Sequence, residues 1–406
     1  MKVGWQQKQL GDVCDIVNGG TPKTGVPEYW GGNHLWITPA EMGKRATPYV
    51  TDTERKITDL GLQDSSARML PPNSVILSSR APIGYLVINT SPMATNQGCK
   101  GLVPGNQLQH KFLYYYLSSI VDLLNSLGTG ATFKELSGGK LKEITIPVPP
   151  LPEQQRLVHI LDQAFDCIAT AKANAEKNLH NTRALFESYL DSVFTQRGEG
   201  WVEKSLGDES LLEIIDGDRG VNYPKASDFH NDGYCLFLNT KNVRPDGFDF
   251  ESTMFVTAEK DSQLRKGRLK RDDVVLTTRG TIGNIGLFSE EVPFDNIRIN
   301  SGMLIFRPNK RVILPSFLFE LLRSKIVKDQ IRKQTTGAAQ PQLPIKTLVN
   351  FTIPVPRNLE DQHVLVTKLR AFEPETQCLE SIYQRELVAL DELKKSLLHQ
   401  AFSGAL

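Results

Sequence analysis

The sequence predicts an α+β fold in which a mixed α/β globular domain occurs twice. Each copy is followed by a long helix, and the two helices are expected to pack as an antiparallel coiled coil. Three observations predict this architecture. Residues 151–196 and 359–402 carry apolar side chains at alternating steps of four and three, the heptad spacing of helices that pack against a partner helix. These two stretches match each other at one constant offset. Short motifs in the segments before them also recur in the same order.

The two long helices are predicted from their seams. Pro152 suits the first turn of the first helix, where its missing N–H costs nothing. Both seams weaken at matching places, Asn178 and Glu386. Pro374 lies inside the second stretch and predicts a local kink or break. The seam positions are Leu157, Leu161, Ala164, Ile168, Ala171, Ala175, Leu185 and Tyr189, followed by Leu365, Leu369, Phe372, Thr376, Leu379, Tyr383, Leu390, Leu393 and Leu397.

The repeated motifs cover nearly the whole chain. They pair Trp5 with Trp201, Leu10-Gly11-Asp12 with Leu206-Gly207-Asp208, Val75–Gly84 with Val274–Gly283, Asn96-Gln97-Gly98 with Asn300-Ser301-Gly302, Thr129-Gly130-Ala131 with Thr336-Gly337-Ala338, and Ile146-Pro147-Val148-Pro149 with Ile353-Pro354-Val355-Pro356. A period of domain size excludes a solenoid. The predicted domains are therefore globular copies at 1–150 and 198–358 and helical segments at 151–197 and 359–406.

Elements inside each copy follow from short apolar runs bounded by Gly, Pro and Asn. In the first copy strands are predicted around Leu10–Val17, Leu35–Thr38, Val75–Arg80, Tyr85–Ile88, Lys100–Val103 and Ile144–Val148, and helices over Ile57–Leu62 and Phe112–Leu124. In the second copy strands are predicted at Leu211–Ile215 and Tyr234–Leu238 and a helix at Pro315–Gln334. The outer loops differ between the copies while the strands agree.

Composition excludes several classes of protein. The chain has 406 residues, is 40% hydrophobic, and has no apolar run long enough to cross a membrane. Its first residues lack the apolar segment of a secretory signal. Five cysteines form no CxxC pair, which argues against a structural zinc site and for a reducing compartment. We therefore expect a cytoplasmic, metal-free protein. The net charge is +1, with mildly basic globular copies, which only weakly favours a polyanionic partner.

Two features of each copy are candidates for binding phosphate or base edges. The loop Asn18–Lys23 can present backbone N–H groups and a lysine to a phosphate, although a plain connecting turn has the same composition. The strand ends Ser79-Arg80 and Thr278-Arg279 join hydroxyls to an arginine, a combination that binds phosphate or guanine. The alternative is an arginine that pins the hairpin to a neighbouring carboxylate, and a duplicated fold would repeat that arginine as well.

Sequence motifs for catalysis are missing. The chain has no GxxxxGK[ST] loop, no [DN]PP[YF] motif of an amino-methyltransferase and no HExxH pattern. The Gly280, Gly283 and Gly286 spacing does not fit a nucleotide-binding loop, and Glu392-Leu393-Lys394 falls on a helix and not on a nuclease strand. These absences favour a binding and assembly subunit.

In the order of its motifs, the chain resembles the specificity (S) subunits of type I restriction–modification enzymes. The resemblance is carried by Asn18-Gly19-Gly20-Thr21-Pro22, the two strand ends with their following Ile-Gly, Gly130-Ala131-Thr132-Phe133-Lys134, and above all Ile-Pro-Val-Pro-Pro-Leu-Pro-Glu-Gln before a long helix. The second half departs from the pattern, with Asp216-Gly217-Asp218-Arg219 in place of the Gly-Thr-Pro loop and Pro341-Gln342 in place of Phe133-Lys134.

The resemblance implies two target recognition domains, each contacting one half of a split, asymmetric double-stranded DNA site. It implies that the long helices act as a spacer and dock two methyltransferase (M) subunits, which methylate adenine. Nuclease–translocase (R) subunits would join through the core formed by the two M subunits and this chain. This chain would hold no cofactor, since S-adenosylmethionine belongs to M, and ATP and Mg to R. The predicted DNA-binding residues are Thr21, Lys23, Lys44, Arg45, Ser79, Arg80, Asn96, Lys134, Arg219, Lys241, Thr278, Arg279 and Asn300.

Two rival functions remain at the level of sequence. A duplicated coiled-coil scaffold whose globular copies bind proteins would show no salt-sensitive DNA binding. A self-contained methyltransferase or nuclease of unfamiliar type would be active as this chain alone, against the missing motifs. The bases that are read, the gap between half-sites and whether the complex restricts DNA as well as methylating it do not follow from the sequence.

Overall fold

The computed structural model describes residues 4–130, 134–245, 247–335 and 342–406. Contacts divide the chain into two units, one of residues 1–176 with 384–406 and one of residues 177–383. Each unit thus combines one globular copy with a part of each long helix. The predicted domain boundaries treat the two long helices as segments separate from the globular copies. These boundaries remain a prediction, since the division by contacts assigns part of each helix to each unit.

The first unit is built on three sheets. Its elements are β1 Gln6–Gln9, α1 Leu10–Val13, β2 Cys14–Asn18, β3 Trp30–Ile37, α2 Pro39–Met42, β4 Tyr49–Val50, β5 Arg55–Ile57, α3 Asp59–Gln63, β6 Val75–Ser79, β7 Ile83–Asn89, β8 Met93–Thr95, β9 Cys99–Pro104, α4 His110–Ser119, α5 Val121–Leu127, α6 Gly138–Lys142, β10 Thr145–Val148 and α7 Leu151–Thr195, which continues into the second unit. The strand orders are β2-β9-β6-β7-β4, β5-β3-β8 and β1-β10.

The second unit repeats this plan. Its elements are β11 Trp201–Ser205, β12 Leu212–Asp216, β13 Cys235–Leu238, β14 Val243–Arg244, β15 Gly247–Phe248, β16 Phe255–Val256, α8 Ala258–Gln263, β17 Val274–Thr277, β18 Ile285–Leu287, β19 Ile297–Ile299, β20 Met303–Pro308, α9 Pro315–Arg323, α10 Lys325–Thr335, α11 Ile345–Leu348, β21 Thr352–Pro356 and α12 Leu359–Ser403, which continues into the first unit. The strand orders are β12-β20-β17-β18, β16-β13-β19, β11-β21 and β14-β15.

The sheets of the two units correspond strand by strand. The order β2-β9-β6-β7 matches β12-β20-β17-β18, and β5-β3-β8 matches β16-β13-β19, with one parallel and one antiparallel pair in each. This agreement confirms the predicted tandem duplication of a mixed α/β domain. The repeats that involve residues 131–133 and 336–341 lie outside the described residues.

The structure differs from the predicted elements at three places. Leu10–Val13, expected at the start of a strand, forms the helical turn α1, because Leu10 and Val13 lie one turn apart and are both buried. The helix expected over Phe112–Leu124 divides at Ile120, where ψ is 20°. The helix expected over Pro315–Gln334 divides at Ser324, which leaves helical geometry with ψ at 157°.

The long helices α7 and α12 pack antiparallel, as predicted. In the first unit the Lys394 ammonium lies 5.1 Å from the centre of the Phe165 ring, and Lys172 Nζ lies 2.7 Å from Asp391 Oδ1. In the second unit Arg183 pairs with Glu380 at 3.0 Å, and the rings of Tyr189 and Phe372 lie 4.8 Å apart. In each unit, a residue later in α7 contacts a residue earlier in α12, as expected for antiparallel helices.

Pro374 predicts a kink or a break. Its helix is continuous, so the break is wrong and the kink stays a prediction. α12 runs from Leu359 to Ser403 with Pro374 inside it. Proline removes one helical hydrogen bond, but buried residues on both sides hold the helix in place. Leu369 precedes the proline in the core of the second unit, and Thr376 is buried two turns beyond Leu369.

No helix within the described residues is long and apolar enough to cross a membrane.

The hydrophobic core of each unit joins the sheets to the long helices. Phe112 packs against Phe402 of α12 in the first unit, with ring centres 5.1 Å apart. Phe194 of α7 packs against Phe317 at 5.5 Å in the second. The globular domains are thus anchored to the helices by aromatic contacts.

Candidate nucleic-acid interface

Each unit gathers several of the predicted binding residues at one end of a central strand. We call these groups the strand-end clusters. The first comprises Thr21, Arg80, Asn96 and Glu135, and the second comprises Arg219, Arg279, Asn300 and Gln342. Arg80 directly follows β6, and Arg279 lies two residues after the end of β17. Asn96 and Asn300 lie in the turns before β9 and β20. The cluster position is therefore fixed by the duplicated sheet.

A glycine brings the polar loop against the Asn turn in both clusters. A Cβ atom on Gly19 would overlap the carbonyl oxygen of Asn96, and one on Gly217 would overlap that of Asn300. Glycine alone permits such an approach. The loop Asn18–Lys23 is therefore placed at the Asn turn by its sequence, and Asp216–Arg219 takes the same place in the second unit.

The Asn side chains hold the two turns in the same way. Asn96 Oδ1 accepts a hydrogen bond from the Gly98 N–H, and Asn300 Oδ1 accepts one from the Gly302 N–H, both at 2.8 Å. Asn96 Nδ2 also donates to Thr21 Oγ1 at 2.9 Å, and Thr21 contacts Gln97. The amide of Asn96 is thus largely used within the protein, where its nitrogen holds Thr21 and its oxygen holds the turn.

Arg219 occupies the place of Thr21 in the second cluster. Its guanidinium lies 3.1 Å from Asp216 Oδ1 and 3.4 Å from the Ser301 carbonyl oxygen. About half of the side chain is exposed. It can therefore exchange Asp216 for a phosphate at the surface.

The two strand-end arginines differ in their surroundings. Arg80 Nη1 lies 3.8 Å from Glu135 Oε2, with each side chain 41% exposed, which is the carboxylate contact that the structural alternative requires. Arg279 is exposed, and no ion pair with it is formed among the described residues. Arg279 is therefore the better candidate of the two for an unobstructed contact with DNA.

The hydroxyls of Ser79 and Thr278 do not reach the surface. Ser79 is fully buried, and its Oγ has no hydrogen-bond partner in the described part of the chain. Thr278 is buried and donates to the Gly302 carbonyl oxygen at 3.0 Å. Their backbones join β6 and β17 to the neighbouring turns through the Gly98 and Gly302 carbonyls. Ser79 and Thr278 therefore have a structural role, and their buried hydroxyls do not face DNA.

The remaining predicted residues are exposed on loops or, for Lys241, on a short 3-10 helix, with one exception. Lys23, Lys44, Lys134 and Lys241 are exposed, and Lys44 lies 3.4 Å from Glu54. Lys134 directly precedes Glu135. Lys241 follows Thr240, whose carbonyl accepts from Thr281 just beyond Arg279. The exception, Arg45, contacts Glu41, donates to the Asp52 carbonyl at 2.6 Å and buries its Nε, so it holds its own loop together.

Sequence reasoning missed Glu135, Lys100, Asp218 and Trp36. Glu135 lies between Arg80 and Lys100, whose ammonium is 3.7 Å away. Asp218 accepts backbone N–H groups from Gly220 and Arg265 at 2.6 Å, and Trp36 donates to the Gly20 carbonyl at 2.9 Å. The alternation of apolar residues in β9 could have marked Lys100 as a charge inside a buried strand. The other contacts join distant segments and leave no local pattern.

Two members of the basic cluster of the second unit, which comprises Arg265, Lys266, Arg268, Lys270 and Arg271, are neutralised by carboxylates. Arg268 pairs with Asp261 at 2.7 Å and Arg271 with Asp295 at 2.9 Å. Hydrogen bonds from Gly220, Arg265 and Lys266 outweigh burial and lower the pKa of Asp218 below its ordinary value, so it is a carboxylate at neutral pH. Arg265, Lys266 and Lys270 of this cluster are exposed, so the cluster is only partly neutralised.

The described residues offer little for catalysis. No three His, Cys, Asp or Glu side chains in the described ranges lie together as a metal ion would require. Burial raises the pKa of Cys14, Cys99 and Cys235 to about 12, so these thiols stay protonated and are poor nucleophiles. What the clusters offer is hydrogen bonding and positive charge at two strand ends.

A family model for the type I restriction modification DNA specificity domain matches residues 2–179 and again residues 198–385. The chain belongs to this family. The two matched segments each contain one strand-end cluster. As a specificity subunit, the chain is the non-catalytic component that supplies DNA sequence specificity to a type I restriction–modification enzyme.

Relatives of this specificity subunit span most of its length. It is 28% identical to the MjaIX specificity subunit of Methanocaldococcus jannaschii over 424 residues, covering 99% of this chain and 93% of the relative. It is 23% identical to the EcoBI specificity subunit of Escherichia coli, covering 82% and 74%. The alignment with the Methanocaldococcus jannaschii subunit therefore includes both globular copies and both long helices.

Two solved structures share the fold of this specificity subunit. One comes from a study of complex assembly and conformational transition of the type I R-M system, with a TM-score of 0.81, 19% identity, and coverage of 100% of this chain and 99% of the other. The other is the HsdS subunit from Thermoanaerobacter tengcongensis, with a TM-score of 0.61, 19% identity and coverage of 100% and 98%.

Proposed function

We propose that this specificity subunit reads a two-part, asymmetric double-stranded DNA sequence, one part through each strand-end cluster. The observation that carries the proposal is the double occurrence of one cluster geometry with different side chains. The backbone contacts are the same in both units, while Thr21 is replaced by Arg219 and Glu135 by Gln342. Two domains with the same backbone contacts but different polar side chains are suited to bind two different half-sites.

The proposed contacts comprise both base-edge and phosphate groups. Arg80 and Arg279 are assigned to base edges, since a guanidinium pairs with the two acceptors of guanine. Exposed basic side chains around the clusters are assigned to phosphates, which fix position without carrying sequence information. These are Lys23, Lys44, Lys134, Arg219 and Lys241. Thr21, Asn96 and Asn300 shape the turns.

We further propose that two M subunits dock on the long helices and that R subunits join through the core which the M subunits form with this chain. The complex directs adenine methylation and restriction at the bound site. Exposed apolar residues on the two helices, three of them predicted in the seam, support docking because they provide apolar surface that a partner can cover. They are Leu185, Leu379, Ile382, Val388 and Leu393. S-adenosylmethionine would be bound by M, ATP and Mg by R, and no cofactor by this chain. We place the complex in the cytoplasm, where the DNA is.

The experiment is modified-base sequencing of DNA from cells that express this chain with a cognate M subunit, beside cells that express M alone. We expect methyladenine at one two-part motif with a fixed gap, and only when this chain is present. A matched control expresses M with another specificity subunit to show that M is active. An active M without a new motif would contradict the proposal and favour a protein-binding scaffold.

A further inference from the structure

The residue facing each strand-end arginine differs between the units, and the sheets define which positions correspond. Leu77 of β6 pairs with Lys100, and Leu276 of β17 pairs with Leu304. The Leu136 N–H donates to the Ser79 carbonyl, and the Leu343 N–H donates to the Thr278 carbonyl. Arg80 forms a β-bridge with Glu135, and Arg279 forms one with Gln342. Lys100 therefore corresponds to Leu304, and Glu135 to Gln342. The predicted replacement of Phe133-Lys134 by Pro341-Gln342 is thus wrong by one residue, because Gln342 takes the place of Glu135 and not of Lys134.

In the first unit these positions carry three charges. Lys100 has a side chain only 8% exposed, and its ammonium lies 3.7 Å from Glu135 Oε1. Arg80 lies 3.8 Å from the other oxygen of the same carboxylate. Both separations exceed a hydrogen bond. The carboxylate and the guanidinium are thus oriented side by side and retain hydrogen-bonding capacity at a half-exposed surface.

In the second unit the two corresponding charges are both absent. Leu304 is buried in place of the lysine, and the exposed Gln342 replaces the glutamate. A buried lysine without a carboxylate would be costly, so a change of glutamate to glutamine is compatible with the core only when the lysine is also lost. The arginine is present in both units. The variable element is the acceptor beside it.

We propose that Glu135 and Gln342 are specificity-determining residues that read the base next to the one bound by Arg80 or Arg279. This inference rests on the proposed function. A carboxylate accepts from the cytosine amino group, whereas a glutamine amide pairs with both the acceptor and the donor of adenine. Glu135 thus requires cytosine in the half-site of the first unit, and Gln342 requires adenine at the corresponding position of the other half-site. Lys100 is a counterion of Glu135 and contacts no base, so the readout belongs to the carboxylate.

The structural alternative is that Glu135 only balances the charge of Lys100. A double variant separates these roles without leaving a buried charge. Lys100→Leu with Glu135→Gln reproduces the pair found in the second unit. The matched control is Lys100→Leu alone, which keeps the carboxylate. The reciprocal variant is Gln342→Glu, which changes an exposed side chain. Thermal unfolding shows whether each variant is folded.

The test is the methylated motif obtained by modified-base sequencing with the M subunit present. The double variant is expected to lose its preference for cytosine over adenine at one position of one half-site, by about tenfold or more in the ratio of methylated sites. Gln342→Glu is expected to alter the other half-site only, from adenine toward cytosine. Lys100→Leu alone is expected to keep the cytosine.

An unchanged motif in the folded double variant and in Gln342→Glu would overturn the inference and leave Glu135 as a counterion. Lys100→Leu shifting the motif as strongly as the double variant would also overturn it, because the carboxylate is still present. Failure of the proposed function is a different result, namely no two-part motif with the unmodified chain and an active M.

Discussion

Arg279 is an exposed guanidinium at the end of β17, and no ion pair restrains it among the described residues. Arg279→Ala should therefore remove a DNA contact without disturbing the fold. We expect a loss of binding free energy of about 1–3 kcal/mol and a relaxed base preference in one half-site. The measurement is a titration of labelled cognate and unrelated DNA with the M-containing complex at several salt concentrations.

The control for this substitution is Arg311→Ala. Arg311 is also exposed but follows the opposite end of β20 from the cluster. Its loss should leave the preference for cognate DNA unchanged. Equal affinities for the Arg279→Ala variant and the unmodified protein would show that Arg279 is not a DNA contact.

Glu320 is a buried carboxyl at the contact between α9 and α12 in the second unit. It lies 3.0 Å from Arg323, which also pairs with Glu373 at 2.9 Å. Burial is the largest effect and raises its pKa to about 7 from an ordinary value of 4.5, although Arg323 opposes the shift. The folded state therefore binds this proton more tightly than the unfolded state does. Its contribution to stability falls as the pH rises from about 4.5 to about 7.

Glu320→Gln should remove this pH dependence, because the amide does not titrate. The unmodified protein should lose about 3 kcal/mol across the window relative to the variant. Denaturant unfolding of both proteins at pH 5.0 and 7.5 measures the difference, with the exposed Glu259→Gln as control. The same change with pH in the unmodified protein and the Glu320→Gln variant would contradict the assignment.

At the scale of elements, one buried glutamine anchors the start of each long helix. Gln154 accepts from the Gln109 N–H at 2.9 Å and donates to the carbonyls of Gln107 and Pro149 at 2.9 and 2.8 Å. Gln362 makes the corresponding bonds with Leu314, Val312 and Pro356 in the second unit. The final Gln of the Pro-rich motif before α7 therefore serves to fix the angle at which the helix leaves its domain.

Gln154→Ala should destabilise the first unit by about 3 kcal/mol, because it leaves buried backbone groups without partners. Gln155→Ala is the matched control, since Gln155 is the same residue type one position later and is exposed. Denaturant unfolding and hydrogen exchange at the Gln109 amide measure the effect. Equal stability and equal exchange in the two variants would show that the Gln154 bonds contribute nothing.

The elements themselves could be predicted well where they follow a local period. The two long helices were predicted within a few residues, since heptad spacing survives over many turns. The divisions at Ile120 and Ser324 were not predicted, because both flanking helices are amphipathic and only their fit to the sheet decides where the chain bends. Pro374 predicts a kink or break in α12, but the helix is continuous because buried neighbours on both sides outweigh the lost hydrogen bond.

At the scale of the whole molecule, the clusters lie in separate compact units and share no residue. The effects of Arg80→Ala and Arg279→Ala on DNA binding should therefore add in free energy when the two are combined. Binding titrations of the single and double variants with the M subunit present measure this. A double variant no weaker than either single variant would indicate that only one cluster contacts DNA at a time.

The sequence by itself determined the duplication, the two partner helices and the family, because each is written in local periodicity or in the order of motifs. It also located both strand ends as candidate sites. Only the tertiary structure decided which of those side chains are available. It buried Ser79 and Thr278, used Arg45 within its own loop, and set Glu135 beside Arg80, while Arg279 is exposed and has no ion pair within the described part of the chain. The physical reason is that exposure and pairing depend on strand register and on contacts between segments far apart in the chain, and these leave no mark in the local pattern of residues.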